Sequence, residues 1–170
     1  MKSKWVLLVL CAGILSQAAR AGEAAAELKV GDPAPDVTTT DEAGKEVKLS
    51  SFKDKQGVVI FFFPKAFTGG CTAETCGFRD AAAEYTARGY ALVGASRDPA
   101  DVLTKFKEEN KAPYGFFSDP KGDLAKSLGL TPGARQTIVI GKDGKVEHIY
   151  KSVQPLTHPK DVLKDLPEKK

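Results

Sequence analysis

Two cysteines five residues apart, Cys71 and Cys76, are the side chains best suited to chemistry in this chain of 170 residues. A thiol is a weak nucleophile until it loses its proton, and a free cysteine with a pKa of about 8.5 is mostly neutral at neutral pH. Cys71 falls where a strand pattern gives way to a helical one. A helix N-terminus presents unpaired N–H groups and a partial positive charge, and both favour a thiolate. Gly69-Gly70 leaves the backbone unencumbered on the approach, and the Thr68 hydroxyl can donate or accept a hydrogen bond within reach. Residues i and i+5 of a helix lie roughly 8.6 Å apart between Cα atoms, whereas a disulfide needs about 4.4–6.8 Å. Both cysteines therefore fit an intact helix only when reduced, and bonding them requires at least one turn to unwind. Gly77 softens that turn by about 1 kcal/mol relative to alanine. A permanent structural disulfide is the plainer alternative, but so short a loop would add little stability. The spacing favours a bond that forms and breaks.

The elements around the pair must hold it in place. Val58 to Phe63 is a continuous apolar run, β-branched and aromatic, which suits a strand buried on both faces; Pro64 ends it. A helix is expected from about Cys71 to Arg88, with Phe78, Ala82 and Tyr85 on one stripe and Gly89 past its end. Tyr90–Ser96 reads as the next strand. Asp98 is expected to cap a helix bearing Val102, Leu103 and Phe106, with Pro99 in its first turn. Tyr114–Ser118 reads as a short strand, Leu124 and Leu128 mark a short helix closed by Gly129, and His158-Pro159 opens a last helix with Val162, Leu163 and Leu166. Two hairpins complete the pattern, Val37–Thr40 with Glu46–Leu49 and Gln136–Ile140 with Lys145–Lys151. This alternation predicts an α/β sandwich whose central β-sheet is mixed, with helices on its faces and an N-terminal β-hairpin extension. Sites in such sheets gather beyond the carboxyl ends of the strands, where the loop 64–71 lies.

Composition narrows the function classes. Hydrophobic residues make up 42% and charged residues 28%, enough for one core and too ordered a mixture for a disordered chain. Lys2 and Lys4 precede an apolar run from Trp5 to Leu15, and Ala19-Arg20-Ala21 supplies a small-residue cleavage pattern. Residues 1–21 thus read as a secretory signal peptide; the run falls short of the ~20 residues that span a bilayer, so no stable membrane insertion is expected. Cleavage would remove three of the 25 basic residues and none of the 22 acidic ones. A neutral mature chain argues against nucleic acid as a partner. Residues 22–29 read as a linker and 30–170 as a single domain, exported to a periplasmic or extracellular space where disulfides are permitted.

The segment Phe63-Pro64-Lys65-Ala66-Phe67-Thr68-Gly69-Gly70-Cys71-Thr72-Ala73-Glu74-Thr75-Cys76-Gly77-Phe78-Arg79-Asp80 resembles the active-site segment of peroxiredoxins, with their P-x-x-x-T-x-x-C pattern at Pro64, Thr68 and Cys71. The second cysteine at 76 is similar to the peroxiredoxin Q (bacterioferritin comigratory protein) group. Gly31-Asp32-Pro33-Ala34-Pro35 and Arg135 before Thr137-Ile138-Val139-Ile140 resemble further landmarks of that group. The resemblance covers roughly residues 30–166. It implies a thioredoxin-like fold and an atypical 2-Cys thiol peroxidase that needs no cofactor and no metal. Cys71 would attack a peroxide, hydrogen peroxide or an organic hydroperoxide, and become a sulfenic acid. Thr68 would hydrogen-bond peroxide and thiolate, Arg135 would stabilise negative charge, and Pro64 would shield the sulfur. Cys76 would resolve the sulfenic acid to an intramolecular disulfide. Glu74 would orient Arg135. A thioredoxin-like reductant and a monomeric state are also implied. Gly69 stands where the group often has proline, and Phe67 is a bulky apolar residue beside the site; both bear on substrate preference and loop rigidity.

Two other functions compete. A thioredoxin-fold copper carrier could use two cysteines and a histidine, and an exported thiol-disulfide oxidoreductase would use the pair directly. Their usual spacings, C-x-x-x-C and C-x-x-C, are shorter than the one here. His148 reads as a packed or surface residue on a strand, and His158 as a helix-start residue.

Overall fold

The computed structural model describes residues 28–168; the expected signal peptide and residues 22–27 of the expected linker lie outside the described residues. In chain order the elements are β1 (Thr38–Asp41), β2 (Glu46–Lys48), β3 (Gly57–Phe62), α1 (Gly69–Ala87), β4 (Tyr90–Ser96), α2 (Ala100–Asn110), β5 (Gly115–Ser118), α3 (Asp123–Ser127), β6 (Gln136–Ile140), β7 (Val146–Tyr150) and α4 (His158–Asp165). The strands form one seven-stranded sheet in the order β2-β1-β5-β4-β3-β6-β7. β3, β4 and β5 run parallel, and the neighbours on either side pair antiparallel, so the sheet is mixed as expected. The β1–β2 hairpin extends one edge.

β3 is an interior strand between β4 and β6, and every residue in it is buried. Its alternation divides the core in two. Val59 and Phe61, with Phe63 just beyond, meet Phe78, Tyr85, Leu103, Phe106 and Val162 from α1, α2 and α4. Val58, Ile60 and Phe62 meet Leu124, Leu128 and Ile138 on the other face. Each such side chain contributes about 1.5–3 kcal/mol when fully buried. The ring of Phe61 stacks on Phe78 at 4.2 Å, which fixes α1 over the strand that feeds it. Among the described residues no helix is long and apolar enough to cross a membrane.

Two local expectations change. Helix α1 starts two residues before the expected Cys71, so Gly69 and Gly70 are helical rather than approach loop. Asp98 does not cap α2: Pro99 occupies the N-cap position without a side-chain bond. The Asp98 carboxylate instead accepts from the Ala66 N–H at 2.7 Å and the Ser96 hydroxyl at 2.8 Å. A loop donor 32 residues away has outcompeted the local cap, because the Ala66 side chain is buried and its N–H must find an acceptor.

Gly77 is more than a soft spot in α1. A Cβ there would sit 2.8 Å from Cγ of Pro159 in α4. That ring cannot swing aside, since the Tyr85 hydroxyl donates to the Pro159 carbonyl at 2.6 Å and Arg88 donates to the carbonyls of Leu163 and Leu166. Gly77→Ala should therefore destabilise the protein by about 1–3 kcal/mol of overpacking, outweighing the ~1 kcal/mol of helix propensity gained. A fall in the urea midpoint checks this; an unchanged or higher midpoint would show that α4 yields freely.

Candidate active site

Strand β3 ends at Phe62 and a short loop carries the chain into α1. Pro64, exposed, stops the strand; Thr68 is the N-cap of α1 and Cys71 its third residue. The first intrahelical bond runs from the Thr72 N–H to the Thr68 carbonyl at 2.9 Å. The N–H groups of Gly69, Gly70 and Cys71 thus have no acceptor within the helix and turn the positive end of its dipole toward the sulfur. Cys71 is buried, 1% exposed.

Arg135, one residue before β6, reaches this sulfur from the other side of the chain. Its Nη2 donates to Cys71 Sγ at 3.1 Å, and its Nη1 donates to Glu74 Oε2. Glu74 stands three residues after Cys71, hence on the same face of α1, and is fully buried. Burial pushes the Glu74 carboxyl up to about 7, while the charge and hydrogen bond of Arg135 pull the other way. Burial also works against the charge of Arg135, but Glu74 and then Cys71 outweigh it and raise the guanidinium above its ordinary value. A guanidinium hydrogen bond is strongest to an anionic acceptor, and this one is aimed at the sulfur. Gly70 makes room for it: a Cβ there would lie 3.4 Å from Arg135 Nη2.

The loop is held in an uncommon shape. Phe67 has φ +63°, a left-handed conformation that costs energy in a bulky residue. It is fixed from both sides, by the Ala66 N–H bond to Asp98 and by the Phe67 ring meeting Phe106 edge-on at 5.1 Å. The ring stays half exposed at the rim. The Thr68 hydroxyl donates to the Lys65 carbonyl at 3.0 Å, which leaves its oxygen lone pairs to accept.

Cys71 and Cys76 are both free thiols in a continuous α1. They bind different partners, Cys71 with Arg135 and Cys76 with Asn110, whose Oδ1 lies 3.5 Å from Sγ. The geometry thus joins Cys71, Glu74 and Arg135 directly, sets Thr68, Pro64 and Phe67 along the adjoining loop, and keeps Cys76 apart. Sequence reasoning missed Asp98 as a loop anchor and Asn110 as the partner of Cys76. Asn110 carried a signal, a polar residue on the buried stripe of Leu103 and Phe106. His158 does start α4, yet it is buried, with Nε2 2.8 Å from Thr137 Oγ1 and its ring against Phe78 and Tyr150. Burial lowers its pKa to about 4. His148 packs its ring on Tyr150 at 6.0 Å.

Glu74 and His158 give stability opposite pH dependences. The Glu74 carboxyl is raised from 4.5 to about 7 on folding, so its contribution is complete below 4.5 and lost as pH rises through about 7. His158 is lowered from 6.5 to about 4, so its contribution is complete above 6.5 and lost as pH falls toward 4. Relative to wild type, Glu74→Gln should gain stability as pH rises across the first window, and His158→Gln should lose less as pH falls across the second. Urea midpoints across both windows check this. A Glu74→Gln curve parallel to wild type would refute the burial account of Glu74.

Comparison with known proteins agrees with the geometry. The pattern of the AhpC/TSA family matches residues 30–149. Peroxiredoxin Bcp of Escherichia coli K12 is 32% identical over 152 residues, covering 83% of this chain and 97% of that protein. Peroxiredoxin bcp1 of Schizosaccharomyces pombe is 43% identical over 102 residues, covering 60% and 52%. The chloroplastic peroxiredoxin Q of Oryza sativa subsp. japonica is 36% identical over 143 residues, covering 80% and 65%. The chain therefore spans about half of the S. pombe relative and just under two thirds of the rice one. Among solved structures, the peroxidoxin BcpB of Mycobacterium tuberculosis superimposes with a TM-score of 0.76 at 34% identity, over 82% of this chain and 96% of that one.

Proposed function

The chain belongs to the AhpC/TSA family, in its peroxiredoxin Q group, and from this premise we propose that it is a thiol-dependent peroxidase reducing hydrogen peroxide and organic hydroperoxides. The observation that carries the reading is the contact from Arg135 Nη2 to Cys71 Sγ, with the same guanidinium held by buried Glu74. A cation fixed against a buried sulfur serves the nucleophile before reaction and the departing oxygen during it.

In the proposed cycle the Cys71 thiolate attacks the nearer peroxide oxygen, the O–O bond breaks, and hydroxide or alkoxide leaves and is protonated. Cys71 becomes a sulfenic acid. The Thr68 hydroxyl, its own proton engaged by Lys65, accepts from the peroxide O–H and orients it. Pro64 and Phe67 wall the approach. Cys76 then attacks the Cys71 sulfur, forming the disulfide and releasing water. The front of α1 must unwind for this, as the separation of i and i+5 requires. A thioredoxin-like dithiol outside the cytosol returns the pair to the reduced state. The protein acts as a monomer after export and removal of residues 1–21.

The test is to mix the reduced protein with one equivalent of hydrogen peroxide and follow thiol loss by stopped flow. Both thiols should disappear much faster than a free cysteine reacts. Cys71→Ser should abolish the reaction, and Cys76→Ser should stop at a sulfenic acid that a dimedone probe traps. Arg135→Ala should slow the first step by about a hundredfold or more. Wild-type protein reacting no faster than a free thiol would overturn the reading.

A further inference from the structure

Cys76 sits in a bracket built by the end of α2 and the segment that follows. The Tyr114 hydroxyl donates to the Thr75 carbonyl at 2.7 Å. Arg79 Nη1 donates to the Asn110 carbonyl at 3.1 Å. The Asn110 side chain, 6% exposed, faces Cys76 with its Oδ1. The orientation of that carboxamide is dictated by its other end, because Nδ2 donates to the Phe106 carbonyl at 2.8 Å. A flipped amide would set oxygen against oxygen there. The atom presented to Cys76 is therefore an acceptor, which an S–H satisfies and a thiolate does not.

The resolving step consumes the group that this contact preserves. Cys71–SOH and HS–Cys76 give the disulfide and water, and the attacking species is the Cys76 thiolate. While α1 is folded, the contact engages the Cys76 S–H. Once the front turns unwind, the sulfur leaves the acceptor. A sulfenic acid that waits can meet a second peroxide and pass to the sulfinic acid, with the second peroxide reduced to water or alcohol.

We propose that Asn110 is a positioning residue that holds Cys76 as a neutral thiol in the folded helix and thereby times disulfide formation against over-oxidation of Cys71. The timing half of this rests on the peroxidase reading. The proton-holding half does not.

Two variants separate the contact from simple packing. Asn110→Leu keeps the volume and removes the acceptor; Asn110→Asp sets a carboxylate before the sulfur. The titratable and charged groups facing Cys76 are Arg79 on α1 and the Tyr114 hydroxyl across from it, and both are left in place. In a Cys71→Ser background, iodoacetamide alkylation of Cys76 is followed from roughly pH 6 to 9. The Leu variant should react about three to ten times faster near neutrality, with its pH profile moved down. The Asp variant should react more slowly, with its profile moved up. With Cys71 restored, disulfide formation after peroxide should quicken in Leu and slow in Asp, and the sulfinic acid seen by mass spectrometry should fall and rise to match. Acceleration in both variants with unmoved profiles would mean a mechanical latch only and overturn the proposal, as would no change in either. If Asp fails to fold, the movement of the Leu profile decides alone. If wild type ignores peroxide, the peroxidase reading and the timing role fall together, while alkylation still decides who holds the proton.

Discussion

The arrangement depends on one difficulty, that of placing a cation, a carboxyl and a reactive sulfur together out of water. Removing a single charge from water costs several kcal/mol unless a partner compensates. Here one guanidinium serves two partners, Glu74 on one nitrogen and Cys71 on another. The donor and its acceptors come from distant parts of the chain, Glu74 lying 61 and Cys71 64 residues from Arg135. The pairing therefore holds only if β6 lies beside β3, which it does in antiparallel register from Val58 opposite Ile140 to Phe62 opposite Gln136. The buried run of β3 is what makes that register firm. A slip of one residue would turn Phe61 away from Phe78 and carry Arg135 off the sulfur.

A second demand opposes the first. In the proposed cycle helix α1 is ordered to place Cys71 against Arg135 and opens to let Cys76 reach Cys71. The two halves of the helix divide this work by chemistry. Behind Gly77 the contacts are large and apolar: Phe78 on Phe61, Phe78 near Tyr85, and Pro159 seated on Gly77 itself. In front of it the contacts are mainly hydrogen bonds, from Tyr114 to Thr75, from Cys76 to Asn110 and from Arg135 to Glu74. Apolar burial is lost wholesale when a segment leaves, whereas a hydrogen bond exchanged for water costs only about 0.5–1.5 kcal/mol net. In that cycle the front turns are the ones that open at least cost.

The sequence made the strands legible because their apolar runs have one reading each. Tyr90–Ser96 and Gln136–Ile140 match their expected bounds. Cys71 was legible from its type, place and spacing, but Glu74 and Arg135 only through resemblance, since nothing local marks an arginine before a strand as a partner of a sulfur 64 residues away. Asp98 misled, and His158, which does start α4, was read incompletely, for a common reason. Each stands where a helix begins and invites a local assignment, yet each is claimed by a distant group, the Ala66 N–H in one case and the Thr137 hydroxyl in the other. Local pattern does not report long-range hydrogen bonds. The charge balance, by contrast, was readable from composition, because it needs no geometry.

The stretch between the cysteines carries a further asymmetry. Glu74 Oε1 and Thr75 Oγ1 are buried and have no hydrogen-bond partner within the described protein. Each such group costs about 1–3 kcal/mol against its hydrated state. Both lie in the turn that unwinds in the proposed cycle, where exposure to water would relieve the cost. The price of ordering this turn is therefore returned when it opens, and the closed form is favoured by less than its burial suggests. In the proposed cycle, conversion of a Cys71 thiolate to a sulfenic acid also replaces an anionic acceptor of Arg135 by a neutral one, weakening the bond that draws the front of α1 inward. In that cycle oxidation at one sulfur loosens the turn that holds the other, so that reaction comes first and unwinding second.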